Sequence, residues 1–358
     1  MQAALEAVQS KSEVDIDNFD FSSSSTDSFL TFLQTYGISL AVTSYDGHRL
    51  VVLRQVDGEL DTLLVPVARP RGLAVSGNKL TVSSFTELIN FYRSGVQSVP
   101  EEFAEGADVL YLPRNVHVTG QINVHDVGWG PEGLWLVNSR FSCLCTLQPD
   151  LSFKARWWPF YLDGPSQDGA GHLNCMALDG GKPAYVTCFG PFSTHISWRD
   201  QQDLHTGLLI DVEQNKAVLS GLYMPHSPTM FQNKVYVCNS GYGTVLCYDP
   251  ATGQSQQVVQ LPGFTRGLVF YRHYMLVCCS RHRDSSVKSV MPLGELYPDT
   301  VAGIYIVDTT NFSVVAFLQF DGDVTQLYDI VVLENTVRPQ VLGLQDPRLK
   351  DVFVFNQG

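Results

Sequence analysis

Apolar residues occur in short runs along most of this chain, and the runs are separated by turn residues. From Ile38 onward nearly every run is bounded by Gly, Pro, Asn, Asp or Ser, a pattern that predicts β-strands joined by tight turns. Before it, "STDSFLTFLQTYG" combines polar capping residues, an apolar stripe and a terminal Gly37, which predicts one short helix. Residues 1–25 are polar, Ser-rich and aperiodic, so we expect a disordered tail.

Five segments of the strand-rich region align on one another. Each has a short apolar strand, a turn and a second apolar strand that ends 13 or 14 residues after the first begins, and a sixth, looser copy starts near the C-terminus. The six copies begin at Arg71, His125, Asn174, His226, Arg266 and Tyr328. Intervals of about 40 to 60 residues are typical of propeller blades. The sequence therefore predicts an all-β fold, a single six-bladed β-propeller over residues 26–358.

Blade one is expected to close the ring. It would begin with Arg71 and borrow outer strands from "GISLAVTSYDGHRLVVLRQ" near the N-terminus or "DVFVFNQG" at the C-terminus, since a closed ring removes free strand edges. Two long segments, "FTELINFYRSGVQSVPEEFAEGADVLYLPRNVHVTGQ" and "GPFSTHISWRDQQDLHTG", are predicted to be loops that cover one end of the channel.

The residues that open the six inner strands should meet at that end of the channel, which we call the mouth. None of them is apolar: two are Arg, two are His, one is Asn and one is Tyr. Polar residues are common in water-filled channels, but His and Arg are costly to bury unless they are paired. Histidine transfers protons near neutral pH, and Arg binds carboxylate, phosphate or sulfate in bidentate fashion. We therefore expect a non-redox enzyme, a lyase, isomerase, hydrolase or group-transfer enzyme, with a small anionic substrate.

The residue types suggest separate roles at the mouth. Arg71 and Arg266 are predicted to hold the anion, with His125 and His226 as general acid and base. Asn174 and Tyr328 are predicted to orient the substrate or stabilise charge. Further substrate-binding candidates, from sequence neighbours and mouth loops, are Asp126, Arg140, Asn239, Arg281, His282 and Asp329. The same loops are expected to contain Arg93, His195, Arg199, Tyr242 and Arg283.

A bound transition metal is a second hypothesis for the mouth. His125, His226 and His172 would supply three imidazole ligands and leave an open coordination position. No other cofactor is predicted. Gly128-x-Gly130-x-x-Gly133 matches a dinucleotide-binding fingerprint, but a β-type run begins at Leu134, so we expect a hairpin turn instead.

Composition narrows the partners and the compartment. A formal net charge of −13 argues against nucleic acid, which requires basic surface. No segment approaches the roughly 18 apolar residues of a membrane span, and the N-terminus lacks the pattern of a signal peptide. Of the eight cysteines, Cys143-x-Cys145 and the adjacent pair Cys278-Cys279 do not resemble the disulfide framework of a secreted protein, so we expect a reducing compartment. No C-x-x-C is present, which argues against zinc-ribbon and thioredoxin motifs. We expect a cytoplasmic protein whose partner is a small molecule, without membrane binding.

The run "RSGVQSVPEEFAEGADVLYLPRNVHVTGQINVHDVGWGPEGLWLVNSRFSCLC", with "HLNCMALDGGKPAYVTCFG" and "GYGTVLCYDP", resembles a family of bacterial proteins with a conserved domain of unknown function. The resemblance covers about residues 30–358. It implies a propeller-like domain and carries no activity. In architecture the chain is also similar to six-bladed lactonases and to strictosidine-synthase-like or arylsulfotransferase propellers, but it lacks the lactonases' carboxylate-led metal set. The alternative function is a non-catalytic propeller that binds another protein.

Overall fold

The computed structural model describes residues 18–96, 99, 104, 106–167, 169–193, 201–282 and 291–354, and these form a six-bladed β-propeller. Six sheets of four or five strands surround a central channel in this part of the chain. The predicted fold class, an all-β propeller preceded by a short helix, is confirmed. Among the described residues no helix is long and apolar enough to cross a bilayer.

The N-terminal region and the first two blades contain the following elements in chain order: β1 (Ser23–Ser25), α1 (Asp27–Tyr36), β2 (Ser39–Ser44), β3 (Arg49–Val56), β4 (Glu59–Pro66), β5 (Leu73–Ser76), β6 (Lys79–Ser83), β7 (Glu87–Ser94), β8 (Val109–Val118), β9 (Val124–Gly130), β10 (Gly133–Asn138), β11 (Cys143–Gln148) and β12 (Leu151–Trp157).

The remaining elements are β13 (Leu173–Asp179), β14 (Lys182–Cys188), β15 (Gly207–Asp211), β16 (Lys216–Leu222), β17 (Pro225–Phe231), β18 (Lys234–Asn239), β19 (Thr244–Asp249), β20 (Gln254–Gln260), β21 (Phe264–Tyr271), β22 (Tyr274–Ser280), α2 (Pro292–Leu296), β23 (Gly303–Asp308), β24 (Ser313–Phe320), β25 (Leu327–Leu333) and β26 (Pro339–Val341). Short 3-10 helices span Ser240–Tyr242 and Pro347–Asp351.

Each repeat found in the sequence forms the two innermost strands of a blade. Blades one to five begin with β5, β9, β13, β17 and β21, and the looser sixth copy supplies β25. Neighbouring inner strands lie side by side around the channel. The glycine-rich stretch of blade two is a hairpin turn, since Gly130 and Gly133 are paired residues of β9 and β10, so the expectation of a turn in place of a nucleotide site is confirmed.

Ring closure occurs at blade six, so the expectation that blade one closes the ring was wrong. In blade six the inner strand β25 pairs with β2, followed by β3 and β4. Blade one is continuous in sequence from β5 to β8, with the late strand β26 added in parallel at its outer edge. The predicted late strand at "DVFVFNQG" is not formed by residues 351–354, and residues 355–358 lie outside the described residues.

The first long segment, predicted to be a loop over the mouth, is also different in the structure. It contains β7 and β8, the third and fourth strands of blade one. Since consecutive strands alternate in direction, the connection between β7 and β8 lies at the end of the channel opposite the mouth. The second long segment joins β14 to β15 and does lie on the mouth side; its residues 194–200 are outside the described part of the chain.

The helix α1 ends as the sequence predicts. Gly37 has a φ of 59° and its N–H donates to carbonyls of the last turn, a left-handed cap that glycine adopts without strain. Phe29, Phe32 and Leu33 are buried in an apolar cluster shared by blades five and six. The strand β1 pairs with β24, so ordered structure starts inside the polar segment expected to be a tail; residues 1–17 lie outside the described residues.

Candidate functional site

The six polar residues of the repeat lie at or next to the starts of the inner strands, at the mouth. Their mutual proximity is visible in the electrostatics of His125, whose imidazole is influenced by Arg71, His226 and Arg266 from three other blades. The structure therefore brings the predicted ring residues together. It also adds Tyr45, which follows β2 and reaches the mouth because the N-terminal strands complete blade six.

Both arginines of the ring contact the same tyrosine. The guanidinium carbon of Arg266 lies 4.0 Å from the ring centroid of Tyr328, and that of Arg71 lies 5.8 Å from it. Each guanidinium has a second aromatic neighbour, Phe264 at 5.1 Å from Arg266 and Tyr45 at 5.0 Å from Arg71. Cation–π contacts hold an Arg side chain in place without neutralising its charge.

Arg71 is only 8% exposed. Its Nη1 atom donates to Asn123 Oδ1, and its Nε atom has no hydrogen-bond partner among the described residues. Asn174 is fully buried; its amide donates to the carbonyl of Pro225 at 3.0 Å, and its Oδ1 atom also lacks a partner in this part of the chain. Buried polar atoms without partners are uncommon in native proteins. The two atoms are nearly inaccessible to solvent and leave one donor and one acceptor unused.

The hydrogen bonds of His125 fix its tautomer. Its Nδ1 atom bonds to Ser139 Oγ, and the hydroxyl of Ser139 donates its only hydrogen to the carbonyl of Leu173. The serine oxygen must therefore accept from an N–H at Nδ1. The Nε2 atom of His125 consequently carries a lone pair, and no described residue donates to it.

His226 has the same tautomer as His125, but a different contact fixes it. Its Nδ1 atom lies 2.9 Å from the carbonyl oxygen of Met224 and 2.9 Å from Ser240 Oγ. A carbonyl can only accept, so Nδ1 carries the hydrogen and Nε2 the lone pair. Ser139 and Ser240 each follow their histidine by 14 residues. The histidine and its serine partner therefore occupy equivalent positions in the two repeats.

Both histidines are neutral at physiological pH. Burial, followed by the nearby charges of Arg71 and His172, lowers the pKa of His125 well below 6.5. Burial and the charge of Arg266 do the same to the pKa of His226. A neutral imidazole with a free Nε2 lone pair is a proton acceptor. Both groups are therefore ready to act as bases, and either becomes an acid only after it has taken a proton.

Planar side chains form a closed circuit around the mouth, which we call the ring circuit. Successive members are separated by 4.0 to 6.2 Å, measured between ring centroids or from guanidinium carbon to ring centroid. In order, its members are Tyr328, Arg266, Phe264, His226, Phe189, His172 and His125, and His125 closes it onto Tyr328. Four of the seven come from the sequence-predicted inner ring; Phe189, Phe264 and His172 come from the adjoining loops and strand ends.

The residues one position after the predicted ring form a second layer in the channel. Asp126 accepts hydrogen bonds from the N–H groups of Val127 at 2.7 Å and Met176 at 2.8 Å. Asp329 accepts from the N–H groups of Ile330 and Leu73. Met176 and Leu73 belong to the next blade in each case. The structure thus gives both carboxyl groups, predicted to bind substrate, a contact that links adjacent inner strands.

The second layer is tightly packed and only partly reached by solvent. Burial raises the pKa of Asp126 to about 7, and burial together with the charge of Asp126 raises the pKa of Asp329 well above its usual range. Asp126 and Asp329 each keep part of their surface accessible to solvent. A Cβ on Gly72 would lie 2.7 Å from Asp126 Cα, and one on Gly267 would lie 2.7 Å from Asp329 Cα. Only glycine allows the strands to approach this closely.

The predicted loop residues have mainly structural contacts. Arg140 is exposed and donates to the carbonyl of Gln121, Arg281 donates to that of Phe320, and the backbone N–H of exposed His282 donates to Thr300 Oγ1. The side chain of Asn239 accepts from the N–H of Tyr223 at 2.7 Å.

Arg93 was expected at the mouth and lies at the opposite end of the channel. It is near the end of β7 and donates to the carbonyls of Glu334 and Asn335 in blade six. The sequence placed it wrongly because β7 was taken for a loop. His195, Arg199 and Arg283 lie outside the described residues.

The structure does not show the metal site that was considered for His125, His226 and His172 among the described residues. Among the described residues no group of three or more His, Cys, Asp or Glu side chains is arranged to hold a metal ion. The Nδ1 atoms of His125 and His226 are bonded within their own blades, and His172 meets His125 edge to face at 67°.

A hydrogen-bonded chain of three side chains at the mouth was missed by sequence reasoning. His205 Nδ1 bonds to Asp203 Oδ1, and His205 Nε2 lies 2.7 Å from the hydroxyl of Tyr242. The carboxylate requires a hydrogen on Nδ1, so Nε2 accepts the phenol hydrogen of Tyr242. Asp203 and His205 come from the second long segment and Tyr242 from the following blade, and no spacing in the sequence indicates that they meet.

Comparisons with known proteins agree with this architecture. The model of the family named "Domain of unknown function (DUF4915)" matches residues 27–342. The chain belongs to the DUF4915 family. No curated protein matches it significantly. Among 419 matching chains of solved structures, one from the "Crystal structure of Nidogen/Laminin Complex" superposes with a TM-score of 0.51 at 10% identity, covering 83% of the DUF4915 chain and 99% of the other. That similarity concerns the fold alone.

Proposed function

We propose that the chain is a small-molecule enzyme that binds an anionic substrate at the mouth and transfers protons through His125 and His226. One observation carries this proposal. The guanidiniums of Arg71 and Arg266 both contact Tyr328, and the same mouth contains the neutral imidazoles of His125 and His226. Arg71 and Arg266 attract the anion, since planar guanidiniums bind carboxylate or phosphate in bidentate fashion. The imidazoles lie in the same ring circuit.

Proton abstraction is the first step that this arrangement favours. A bound anion near Arg266 would leave a substrate C–H or O–H facing Nε2 of one histidine, which accepts the proton and later returns it as an acid. The buried Oδ1 of Asn174 and Nε of Arg71 would orient the substrate through hydrogen bonds. Tyr328 would stabilise charge as a hydrogen-bond donor. The reaction class is non-redox, with lyase, isomerase, hydrolase and group-transfer reactions all compatible with this step.

We further propose a reducing, cytoplasmic location and no nucleic-acid partner. All eight cysteines are free and buried, as in proteins that fold where thiols stay reduced. The net charge of −13 supports a small anion held by local arginines over a polyanion that needs extended basic surface.

A protein-binding propeller is the alternative, and one surface feature favours it. Val116, Val118 and Leu151 are 43%, 68% and 46% exposed. They lie near one another at the outer edges of blades one and two, where His117 Nε2 is 3.1 Å from the carbonyl of Leu151. Exposed apolar patches often mark interaction sites.

Thermal unfolding with a panel of carboxylates, phosphates and sulfates tests the proposal. We expect at least one anion to raise the Tm, because a ligand at 100 times its Kd stabilises by about 2.7 kcal/mol. The shift should disappear in Arg71→Ala and in Arg266→Ala, each compared with its own ligand-free Tm. Arg93→Ala, at the opposite end of the channel, is the matched control and should keep the shift. No stabilising anion, or a shift kept in both mouth variants, would favour the protein-binding alternative.

A further inference from the structure

Three side chains on the mouth side form a hydrogen-bonded group that shares no member with the ring circuit. His205 Nδ1 bonds to Asp203 Oδ1, and His205 Nε2 lies 2.7 Å from the hydroxyl of Tyr242. Because the carboxylate requires a hydrogen on Nδ1, the imidazole accepts the phenol hydrogen at Nε2. A hydroxyl within hydrogen-bond reach of a base, which a third group orients, is the arrangement of an activated nucleophile.

Packing holds the imidazole of His205 and the phenol of Tyr242 in this geometry. The ring of Tyr223, which is 1% exposed, meets the His205 ring at 5.0 Å and the Tyr242 ring at 6.2 Å between centroids, both at 89°. A Cβ on Gly241 would clash with the Tyr223 ring, so glycine lets the short 3-10 helix that contains Tyr242 approach it. The backbone carbonyl of Tyr242 also accepts from Gln260 Nε2 at 2.7 Å. The phenol is therefore held against its base without the help of a ligand.

The three side chains are accessible from the mouth side. The side chains of His205 and Asp203 are 40% and 71% exposed, and Tyr242 is half-buried. The backbone and side-chain N–H groups of His205 hold the pKa of Asp203 below its usual range, so the carboxylate stays ionised and keeps the hydrogen on Nδ1. Hydrogen bonds between exposed charged groups add little to stability. The fold therefore does not need this order of groups, whereas a reaction at the phenol does.

The chemistry of a phenol limits the acyl groups that it can accept. Free phenols have a pKa of about 10, free thiols about 8.5 and water about 15.7. An acyl group passes favourably to a phenol from a thioester or from the ester of a more acidic phenol, because the group that leaves is then the weaker base. Alkyl esters and amides would have to release a much stronger base. The substrates that suit such a site are therefore activated acyl esters.

We propose that Tyr242 is a nucleophile that accepts the acyl group of an activated ester, with His205 as its base and Asp203 as the group that orients the imidazole. The phenol oxygen bonds to the acyl carbon while its proton passes to His205 Nε2. The bond from that carbon to the leaving sulfur or oxygen breaks, and the leaving group takes the proton. Water then gives a proton to His205 as it attacks the acyl-tyrosine, the acid is released, and the phenol oxygen recovers the proton. This hydrolysis does not depend on the proposed anion site.

Acetyl transfer to the full chain tests the nucleophile. The probes are p-nitrophenyl acetate and S-phenyl thioacetate, with ethyl acetate as the unactivated ester. After an acid quench, mass spectrometry of peptides should find the acetyl group on Tyr242 with both activated esters and not with ethyl acetate. Tyr297 packs on the same apolar cluster and is also half-buried, so it is the internal reference. Acetyl on Tyr242 ahead of Tyr297, or turnover that needs Tyr242, supports the proposal; a protein with neither overturns it.

Variants assign the roles through the rate of p-nitrophenolate release. Tyr242→Phe removes the nucleophile and His205→Gln removes the acceptor of its proton, so each should lower the rate by about 100-fold or more, the scale of general-base catalysis. Tyr297→Phe is the matched control and should keep the rate. A rate unchanged in Tyr242→Phe would overturn the proposal, and one unchanged in His205→Gln would overturn the role of the base. If a variant fails to fold, the position of the acetyl group on the unchanged protein decides.

Discussion

Two consecutive layers of the same channel differ in what their side chains contact. The first layer, at the mouth, contains His125 and His226, whose Nδ1 atoms bond within their own blades and whose Nε2 atoms have no donor among the described residues. The second layer begins one residue later in each repeat. There Asp126 and Asp329 accept hydrogen bonds from the backbone of the next blade, and Gly72 and Gly267 allow that backbone to approach.

The difference shows that neighbouring positions of one repeat make different contacts: the second layer links adjacent blades, and the first is where we propose that a ligand binds. Each oxygen of Asp126 and of Asp329 accepts a backbone N–H, whereas an imidazole fixed through one nitrogen presents the other. The layers are also linked, because the strands that Asp126 and Asp329 join are those that position the mouth residues. Substitutions in the second layer should therefore change stability, and substitutions in the first should change chemistry.

The largest effect should come from closing the gap between inner strands. Gly72→Ala would put a methyl carbon 2.7 Å from Asp126 Cα, an atom of the backbone, and we expect the free energy of unfolding to fall by about 3 kcal/mol, at the upper end for overpacking. Urea unfolding measures it. Gly164→Ala, where no atom lies within 4 Å of the added carbon, is the control. Equal stability of the two variants would contradict close strand approach.

The pH dependence of stability should separate the two layers. Burial raises the pKa of Asp126 to about 7. Between about pH 4 and pH 7 the folded protein therefore holds a proton that the unfolded chain releases. The contribution of Asp126 to the free energy of unfolding consequently falls as pH rises through this range. His125 and His226 have lowered pKa values, so their contribution rises with pH up to about 6.5.

Asp126→Asn should remove the falling contribution. From pH 5 to pH 7, the free energy of unfolding of the variant should rise relative to that of the unchanged protein by on the order of 2 kcal/mol. Urea unfolding at both pH values provides the comparison, with Asp150→Asn at an exposed position as the control. An Asp126→Asn variant that keeps the original pH profile would show that this carboxyl group does not hold the proton.

In the first layer, serine substitutions should distinguish the two histidines. Ser139→Ala removes the acceptor that fixes the hydrogen on Nδ1 of His125, so part of the population should shift to the Nε2–H tautomer, with a stability loss of about 1 kcal/mol. Ser240→Ala should leave the His226 tautomer unchanged, because the carbonyl of Met224 still accepts at 2.9 Å. Imidazole ¹⁵N chemical shifts report both. A tautomer change in Ser240→Ala alone would reverse the assignment.

The smallest effect is expected for the exposed chain of Asp203, His205 and Tyr242. Tyr242→Phe removes one hydrogen bond of 2.7 Å to a partly exposed imidazole, so the free energy of unfolding should change by less than about 0.5 kcal/mol. Thermal unfolding checks this value. A loss of several degrees in Tm would show that the three residues fasten the mouth loops together.

The sequence predicted the inner half of the fold better than the outer half. The first two strands of each blade keep a constant spacing, so the repeat revealed them and the ring of polar residues they begin with. The third strand of blade one was missed because Asn90 interrupts its apolar run; the structure buries it and pairs its Oδ1 with Thr81 Oγ1 at 2.6 Å. A polar residue that is satisfied by the neighbouring strand looks like a loop residue in the sequence.

The sequence predicted those residues of the candidate site that belong to the repeat. It missed the residues that other segments of the chain bring to the mouth. Tyr45 reaches the mouth only because N-terminal strands complete blade six, and Phe264 and Phe189 carry no polar group that would indicate a site. The partners of Asp126 and Asp329 are backbone atoms 50 and 256 residues away. No local pattern distinguishes such a carboxyl group from one that faces a ligand.

The closure of blade six has a consequence for the order of events during synthesis. Ser39 pairs with Leu333 across nearly the whole length of the chain, and β2, β3 and β4 find their inner neighbour only when β25 has been made. Until the ribosome has released that segment, the first strands expose an unpaired edge, and folding must wait for a contact of very high sequence separation. The nascent chain therefore cannot close the ring until β25 has been synthesised, and until then its first strands lack their inner neighbour.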